Sequence, residues 1–519
     1  MPICVASVRA NFHGPFRLSP TDMAASKGVP NLRKLRNFRS GLLLQRAVAV
    51  RPGTKSLSGD VIGAAMNEKT KRTLEAIFMA GLKAVDPEEA IRRHVQLTAD
   101  HLKIGEHEYP LASFDRIIVT GFGKGTAPMA KALEEILGDR LTEGWITVKY
   151  GHGLPLKKVR VMEAGHPIPD QAGLQATRII LDRLKECTEK DLVLCAFSGG
   201  GSALSPAPRA PLELGDKQET TQLLLNCGAT IFELNAMRKH LSLCKGGQLA
   251  RIAFPATLVS LFLSDVVGDP LDVIASGPTV PDSSTFSDCM RIVDRYGLRE
   301  KLPPAVLKLL QDGAKGLIED TPKAGDAVFT KGRNLVVGSN RAALLAAAGK
   351  AEALGYKTLI LSSFVQGEAR EIARFFAAIG KEIAASGHPI PPPACILAGG
   401  ETTVTIRGSG KGGRNQELAL AAALAMDGLP QMALLSAGTD GSDGPTDAAG
   451  AFVDGNTCQD AFRKGIDPEK YLMGNDAYHF FSQLDDLFIT GPTRTNVMDV
   501  ICLLVGRSRI GASHMDPPG

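Results

Sequence analysis

Residues 114–125 read FDRIIVTGFGKG. The run Arg116–Thr120 is rich in β-branched side chains, which fit a pleated, packed surface. It breaks into glycines around Lys124, and glycine supplies the backbone freedom that a tight strand-to-helix turn needs. From about Ala127 to Leu137, apolar residues recur at helical spacing. The unit repeats at DLVLCAFSGGGSA (191–203), a strand that ends in a Gly/Ser loop. TLVSLFLSDVVGDP (257–270) is a further buried strand, and it ends in acids and glycine. Strand, loop and helix in succession predict an α/β fold: a mostly parallel sheet with helices on both faces.

Working outward, MNEKTKRTLEAIFMAGLKAVDP (66–87) is a helical pattern that stops near Pro87. Residues 311–332 are rich in Gly, Lys, Asp and Thr and lack apolar periodicity, so a domain boundary is placed there. A second α/β pattern follows. It includes strands at NLVVG, YKTLILSS and ACILAGG, a helix over about Asn415–Met426, and the strand MALLSAG with an acid-rich loop behind it. At 519 residues the chain exceeds one ordinary core, and two domains are expected, 66–320 and 330–510, after an extension of residues 1–65.

Charge is unevenly placed. Residues 1–60 hold ten Lys/Arg against Asp22 and Asp60, so this segment carries +8 and the remaining residues −4. An Arg-rich, acid-poor N-terminus has the character of a mitochondrial transit peptide. The nine cysteines are scattered with no CxxC pair, which argues against a disulfide or zinc framework and for a reducing compartment. No apolar run reaches the roughly 18 residues of a membrane-spanning helix. Aromatics are only 5% and the body is mildly acidic, which disfavours nucleic-acid binding.

In open α/β sheets, ligands bind beyond the carboxyl ends of strands. Every unusual loop in this chain sits at such an end. GFGKGT (121–126) presents Lys124 between glycines, without Walker spacing and without a dinucleotide fingerprint, since the third glycine position is Thr126. SGGGSA offers an amide-rich concavity over Ser198, Gly199, Gly200, Gly201 and Ser202, suited to a carboxylate or phosphate. LSDVVGDP supplies Asp265 and Asp269, either as oxygen ligands for Mg²⁺ or as a base that takes a hydroxyl proton. AGGETTVTIRGSGKGGRNQE (398–417) combines glycines with Glu401, Arg407, Lys411, Arg414 and Asn415, and it reads as a loop that holds an anion. GTDGSDGPTDAAGA (438–451) adds Asp440, Asp443 and Asp447 without EF-hand spacing, and TRTNVMD adds Thr495 and Asn496.

Taken in order, GFGK, SGGGSALSPAP, NAMRKHLSLCKGGQLA, LSDVVGDPLDVIASGPT, GGETTVTIRGSGKGGRNQE, AGTDGSDGPTDAAGA and TRTNVMD resemble the glycerate 2-kinase family over about residues 66–507, most of all its vertebrate-type members. The resemblance implies an N-terminal Rossmann-like αβα sandwich, a C-terminal α/β MOFRL domain and an active site in the cleft between them. It also implies ATP-dependent phosphorylation of D-glycerate with Mg²⁺, with O2 favoured over O3, in serine/glycerate and fructose catabolism. Lys124 and Arg414, from different domains, are the catalytic candidates it suggests. Gly125 stands where alanine is common in the family.

On this reading Lys124 and Arg414 clamp the transferring phosphoryl group, and Asp265 orients or deprotonates the acceptor hydroxyl. Asp265, Asp269 and Asp440 are the candidate metal ligands. Ser198–Ser202, Lys411, Asn415, Glu401, Thr495 and Asn496 are candidates for substrate or phosphate contacts. ATP and D-glycerate are the expected partners, with no nucleic acid and no membrane, and a homodimer is compatible with the sequence. The compartment expected is the cytoplasm, the mitochondrion or both. Two other readings are an NAD(P)H-dependent hydroxypyruvate reductase and a non-enzymatic nucleic-acid binder. The first lacks the GxGxxG fingerprint, and the second meets an acidic body with few aromatics.

Overall fold

The computed structural model describes residues 66–507, so the basic extension and its transit reading lie outside the described residues. Six parallel strands form the first sheet. Their spatial order is Val159–Ala164, Glu143–Lys149, Arg116–Phe122, Asp191–Phe197, Thr257–Leu263, Gly332–Gly338. Both faces are covered because both sets of alternating side chains are apolar. Ile117, Val119, Leu192 and Leu194 meet the helices Pro87–His94 and Thr126–Leu137. Ile118, Val193, Cys195 and Phe197 meet Gln171–Lys185 and Gln248–Ala253. The winding direction reverses between Arg116–Phe122 and Asp191–Phe197. That switch point is where a doubly wound sheet opens a crevice.

The second sheet is mixed. Its spatial order is Lys357–Glu368, Ala394–Thr403, Asp499–Val505, Met432–Gly438, Gly450–Asp454, Leu487–Phe488, and only the first pair is parallel. Met432–Gly438 and Gly450–Asp454 are joined by a loop without a crossover helix, so they pair antiparallel. The last strand, Asp499–Val505, enters the middle of the sheet. Helices Ala369–Ser386 and Arg414–Met426 cover one face, and Glu68–Ala84 with Asn340–Ala353 cover the other. Leu74, Ile77 and Phe78 therefore lie against Cys395, Leu397, Cys502 and Leu504. Burying three such side chains is worth roughly 1.5–3 kcal/mol each, which fixes the first helix to the second sheet. Since Gly332–Gly338 completes the first sheet, the two layers exchange segments across residues 311–332. Both sheets belong to one compact unit.

Two features have no counterpart in the sequence reading. One is a three-stranded antiparallel sheet, Val95–Leu97, His101–Ile104 and His107–Pro110. The other is a helical layer of Leu214–Asn226, Ile231–His240, Phe286–Arg295 and Pro304–Ala314 around its own core of Leu224, Met237, Phe286 and Leu309. Among the described residues no helix is long and apolar enough to cross a membrane.

Candidate active site

The two loops at the switch point are joined by hydrogen bonds. Lys124 N donates to the Gly199 carbonyl at 2.9 Å, and Gly125 N donates to Ser198 Oγ at 2.9 Å. Glycine is required at the junction: a Cβ at Gly123 would lie 2.6 Å from the Ser198 carbonyl oxygen, and one at Gly199 would lie 2.7 Å from Asp265 Cγ. Gly200 takes φ +80°, a left-handed conformation open to glycine. The amides of Gly199 and Gly200 take no protein acceptor among the described residues, so they are free to meet an anion. Beside them opens a cavity of about 420 Å³. Lys124, Ser198 and Gly199 line it from the first sheet, and Asp440, Arg494 and Asn496 line it from loops of the second.

Asp265 stands under this junction. Burial pushes its carboxyl up to about 6, Lys124 pulls the other way, and Glu401 and Asp440 add to the rise. Glu401 and Asp440 belong to the second sheet, so carboxylates from both layers face one another. Arg414 opens the helix Arg414–Met426. It forks onto Asp499 at 2.6 and 3.0 Å and reaches Glu401 at 2.9 Å. Burial works against its charge, but Asp499 and Glu401 outweigh burial and hold the guanidinium above its ordinary pKa. Glu401 in turn feels Arg414 and Lys124, the two cations singled out in the sequence. The structure thus brings Lys124, Asp265, Glu401, Arg414 and Asp440 into one electrostatic group.

A cationic rim completes the cavity. His166 is driven down to about 4, first by burial and then by Lys124 and Lys149. His152 is lowered by burial, and its Nδ1 lies 3.1 Å from the Lys124 carbonyl oxygen. Both rings are therefore neutral near pH 7, while Lys149 and Arg494 contribute charge at the cavity wall. None of these four was singled out in the sequence. The available signal was a histidine in a glycine- or proline-containing loop after a strand, at GHG (151–153) and GHP (165–167).

The glycine-rich stretch differs from its reading as an anion cradle. The amides of Arg407 and Gly408 donate to Asn475 Oδ1, that of Gly410 to the Gly474 carbonyl, and that of Lys411 to Asp476 Oδ1. A Cβ at Gly410 would lie 2.7 Å from the Gly474 carbonyl oxygen. The glycines serve close backbone packing against residues 474–476. Lys411 lays its ammonium over the Tyr478 ring, 4.2 Å from the centroid, away from the cavity lining. Gly413 is needed because a Cβ there would lie 2.5 Å from the Asp443 backbone carbonyl carbon. The Asp443 carboxylate caps the helix from a distance, taking the amides of Asn415 and Gln416 at 3.1 and 2.9 Å.

Several other candidates are committed to the fold. Asn415 donates to Asp499 Oδ1 at 2.9 Å and accepts from Ser436 at 2.7 Å, so it positions the partner of Arg414. Thr495 lines the cavity, but its hydroxyl donates to the Val85 carbonyl at 2.6 Å. Asn496 accepts from the Met498 amide at 3.0 Å. Ser202 is bonded to Ser276 at 3.0 Å, and Gly201 packs against Ala275. Burial raises the Asp269 carboxyl, and Asp269 stands outside the group around Asp265. Asp440 accepts from the Ser442 amide and hydroxyl and remains at the cavity wall. Among the described residues no three His, Cys, Asp or Glu converge tightly enough to hold a metal ion by themselves. The donors present, carboxylates of Asp265, Glu401 and Asp440, are hard oxygen ligands. They fit Mg²⁺, which keeps several waters and takes one or two carboxylates together with substrate phosphates.

A doubly wound sheet and a mixed sheet that share one charged cavity define a two-layer α/β protein with a polar site between its sheets. Family comparison agrees. A domain of unknown function, DUF4147, matches residues 73–311, and the MOFRL family matches residues 394–499. The D-glycerate 2-kinase of Thermotoga maritima is 40% identical over 84% of this chain and 99% of that protein. The glycerate kinase of Danio rerio is 38% identical over 83% of this chain and 96% of that one. A putative hydroxypyruvate reductase of Agrobacterium vitis is 42% identical over 75% of this chain and 100% of that one. A crystal structure of a glycerate kinase from Thermotoga maritima superimposes with a TM-score of 0.76 at 40% identity, over 85% of this chain and 100% of that one. The chain belongs to the glycerate kinase family.

Proposed function

We propose that the protein transfers the γ-phosphoryl group of ATP to D-glycerate, at O2, in the cleft between the two sheets. The observation that carries this reading is that one cavity is lined by Lys124, Ser198 and Gly199 from the first sheet and by Asp440 and Arg494 from the second, with Arg414 held on Glu401 at 2.9 Å in the second sheet. Phosphoryl transfer is chiefly positioning and charge neutralisation, and cations contributed by both sheets suit it. Lys124, with the free amides of Gly199 and Gly200, holds oxygens of the transferring group. Arg414, oriented by Asp499, meets the same group from the second sheet. Asp265, whose carboxyl is raised to about 6, takes the proton of the acceptor hydroxyl near neutral pH. Mg²⁺ would supply further neutralisation of the phosphate oxygens, and Glu401 and Asp440 are the carboxylates that would hold it.

The test is direct: incubate the protein with ATP, Mg²⁺ and D-glycerate and identify the product by phosphorus NMR. Appearance of 2-phosphoglycerate supports the reading, 3-phosphoglycerate corrects the acceptor oxygen, and no phosphoglycerate removes it. The reductase reading, kept alive by the Agrobacterium relative, requires hydroxypyruvate-dependent NADH oxidation by the same preparation. The loop after the first strand of the sheet, GFGKGT, lacks the dinucleotide fingerprint that such an enzyme uses.

A further inference from the structure

The loop that leads into the strand Asp499–Val505 closes over the Lys124 turn. A Cβ on Gly125 would lie 3.4 Å from the Arg494 carbonyl oxygen. Arg494 takes φ +63°, a left-handed conformation that a residue with a side chain keeps only where its surroundings over-determine it. They do so on both sides. Before it, the Thr493 hydroxyl donates to the Thr439 carbonyl at 2.6 Å. After it, the Thr495 hydroxyl donates to the Val85 carbonyl at 2.6 Å, and Val497 N donates to Thr439 Oγ1 at 2.8 Å. Backbone strain held this firmly marks a side chain placed for use.

The Arg494 side chain is exposed and lines the cavity of about 420 Å³ together with Lys124 and Lys149. Among the described residues none of these three cations forms an ion pair, and the Arg494 guanidinium forms no hydrogen bond. Arg414, by contrast, is held by Asp499 and Glu401 and stands outside the lining. The two acids in the lining are engaged locally, Asp440 by Ser442 and Asp447 by the Tyr478 hydroxyl at 2.7 Å. Burial lowers His152, and Lys149, Lys124 and Arg494 each lower it further, so the three cations gather around one ring. A cavity of this size takes a ligand larger than a three-carbon acid. Its wall also includes Ile489, 58% exposed, and Pro492, both from the Arg494 loop. That apolar surface suits a nucleoside, and the cations beside it suit a polyphosphate.

We propose that Arg494 binds the phosphates that stay with the nucleotide, and that its loop makes this cavity the nucleoside-triphosphate pocket. The proposal rests on the kinase reading above and divides the work among its cations. Lys124 and Arg414 act on the group that is transferred. Arg494 presents a planar fork matched to phosphate oxygens, and it holds the nucleotide equally before and during transfer. Its loss therefore weakens nucleotide binding and leaves the chemical step in place.

The test uses the full-length protein and its Arg494→Gly and Arg494→Lys variants. Arg494→Gly is expected to raise the KM for ATP by roughly 10–100-fold, as loss of a charge-assisted contact does. The kcat and the KM for D-glycerate change less than about threefold, and Arg494→Lys recovers part of the loss. Glycine suits the left-handed conformation, so Arg494→Gly melts no lower than wild type. Calorimetric titration with ADP, in the absence of any acceptor, shows the same roughly 10–100-fold weakening in Arg494→Gly. Inorganic tripolyphosphate binds the wild type more weakly than ATP does, because it covers no apolar wall. An unchanged KM for ATP in Arg494→Gly, or a lower Tm with unchanged ADP affinity, overturns the proposal. A fall in kcat at constant KM for ATP also overturns it, by moving Arg494 to the transition state. Tripolyphosphate binding as tight as that of ATP overturns the nucleoside assignment. If the wild type phosphorylates no glycerate, the kinase reading falls, and the ADP titrations still decide whether this cavity holds a nucleotide through Arg494.

Discussion

Alanine at Gly199 adds one methyl group where the two switch-point loops meet. Its Cβ would sit 2.7 Å from Asp265 Cγ, against the roughly 3.5–4.0 Å of relaxed carbon contacts, so something must move by on the order of 1 Å. The Gly199 carbonyl is held by Lys124 N at 2.9 Å, and the neighbouring Ser198 hydroxyl by Gly125 N at 2.9 Å, so the loop resists. Asp265 gives way. Overpacking of this kind costs roughly 1–3 kcal/mol, and a 1 Å displacement of a reacting group costs about 100-fold in rate. The expected outcome is a Tm lower by a few degrees and a kcat lower by about 100-fold, with the KM for ATP nearly unchanged. Coupled ADP-release kinetics and urea unfolding measure both. Pairing Gly199→Ala with Asp265→Gly removes the clash, so the double variant regains stability without regaining activity. Wild-type Tm and kcat in Gly199→Ala alone would refute the contact and the role drawn from it.

Asp499→Asn keeps the shape of the side chain but removes the charge that forks onto Arg414. A kcat loss of roughly 10–100-fold with modest loss of stability is expected, and steady-state kinetics with a thermal melt check it. Lys411→Ala should leave kcat within about threefold of wild type, because the ammonium rests on Tyr478; a drop of about 100-fold would restore Lys411 to the phosphate site. The pH dependence of stability carries the mark of Lys217. Its folded pKa, about 7, lies below the ordinary 10.5 of a lysine, so between these values the unfolded chain binds the extra proton. Unfolding free energy therefore rises with pH across that window, by up to about 1.4 kcal/mol per pH unit. Lys217→Met should lose this contribution to the slope, as seen in urea titrations at pH 7 and pH 9.

Much of the site is readable before any coordinates, because each strand announces itself by β-branched runs and each loop by glycine. Lys124 and Ser198–Gly200 stand beside strands whose identity local pattern fixes. Arg414 is legible as a cation, but its partner is not. Asp499 reaches it only because the last strand enters the centre of the second sheet, a pairing across residues 394–505 that no local signal encodes. His152, His166, Lys149 and Arg494 are single residues without a spacing pattern, so only the fold collects them. The glycines at 408, 410 and 413 mislead for a physical reason. Close backbone packing and anion binding both demand the absence of a Cβ, and sequence does not distinguish the two. Lys217 and Lys245 read as solvated lysines, because nothing local shows that helices close over them.

The central claim is that one phosphoryl group is held from two sheets at once. A double-mutant cycle of Lys124→Ala and Arg414→Ala on kcat/KM for D-glycerate tests it most directly. Each single variant should lose roughly 100–1,000-fold, and the double variant should lose far less than the product, as groups that act as a unit do. Fully multiplicative losses, or near-wild-type activity in either single variant, would contradict it.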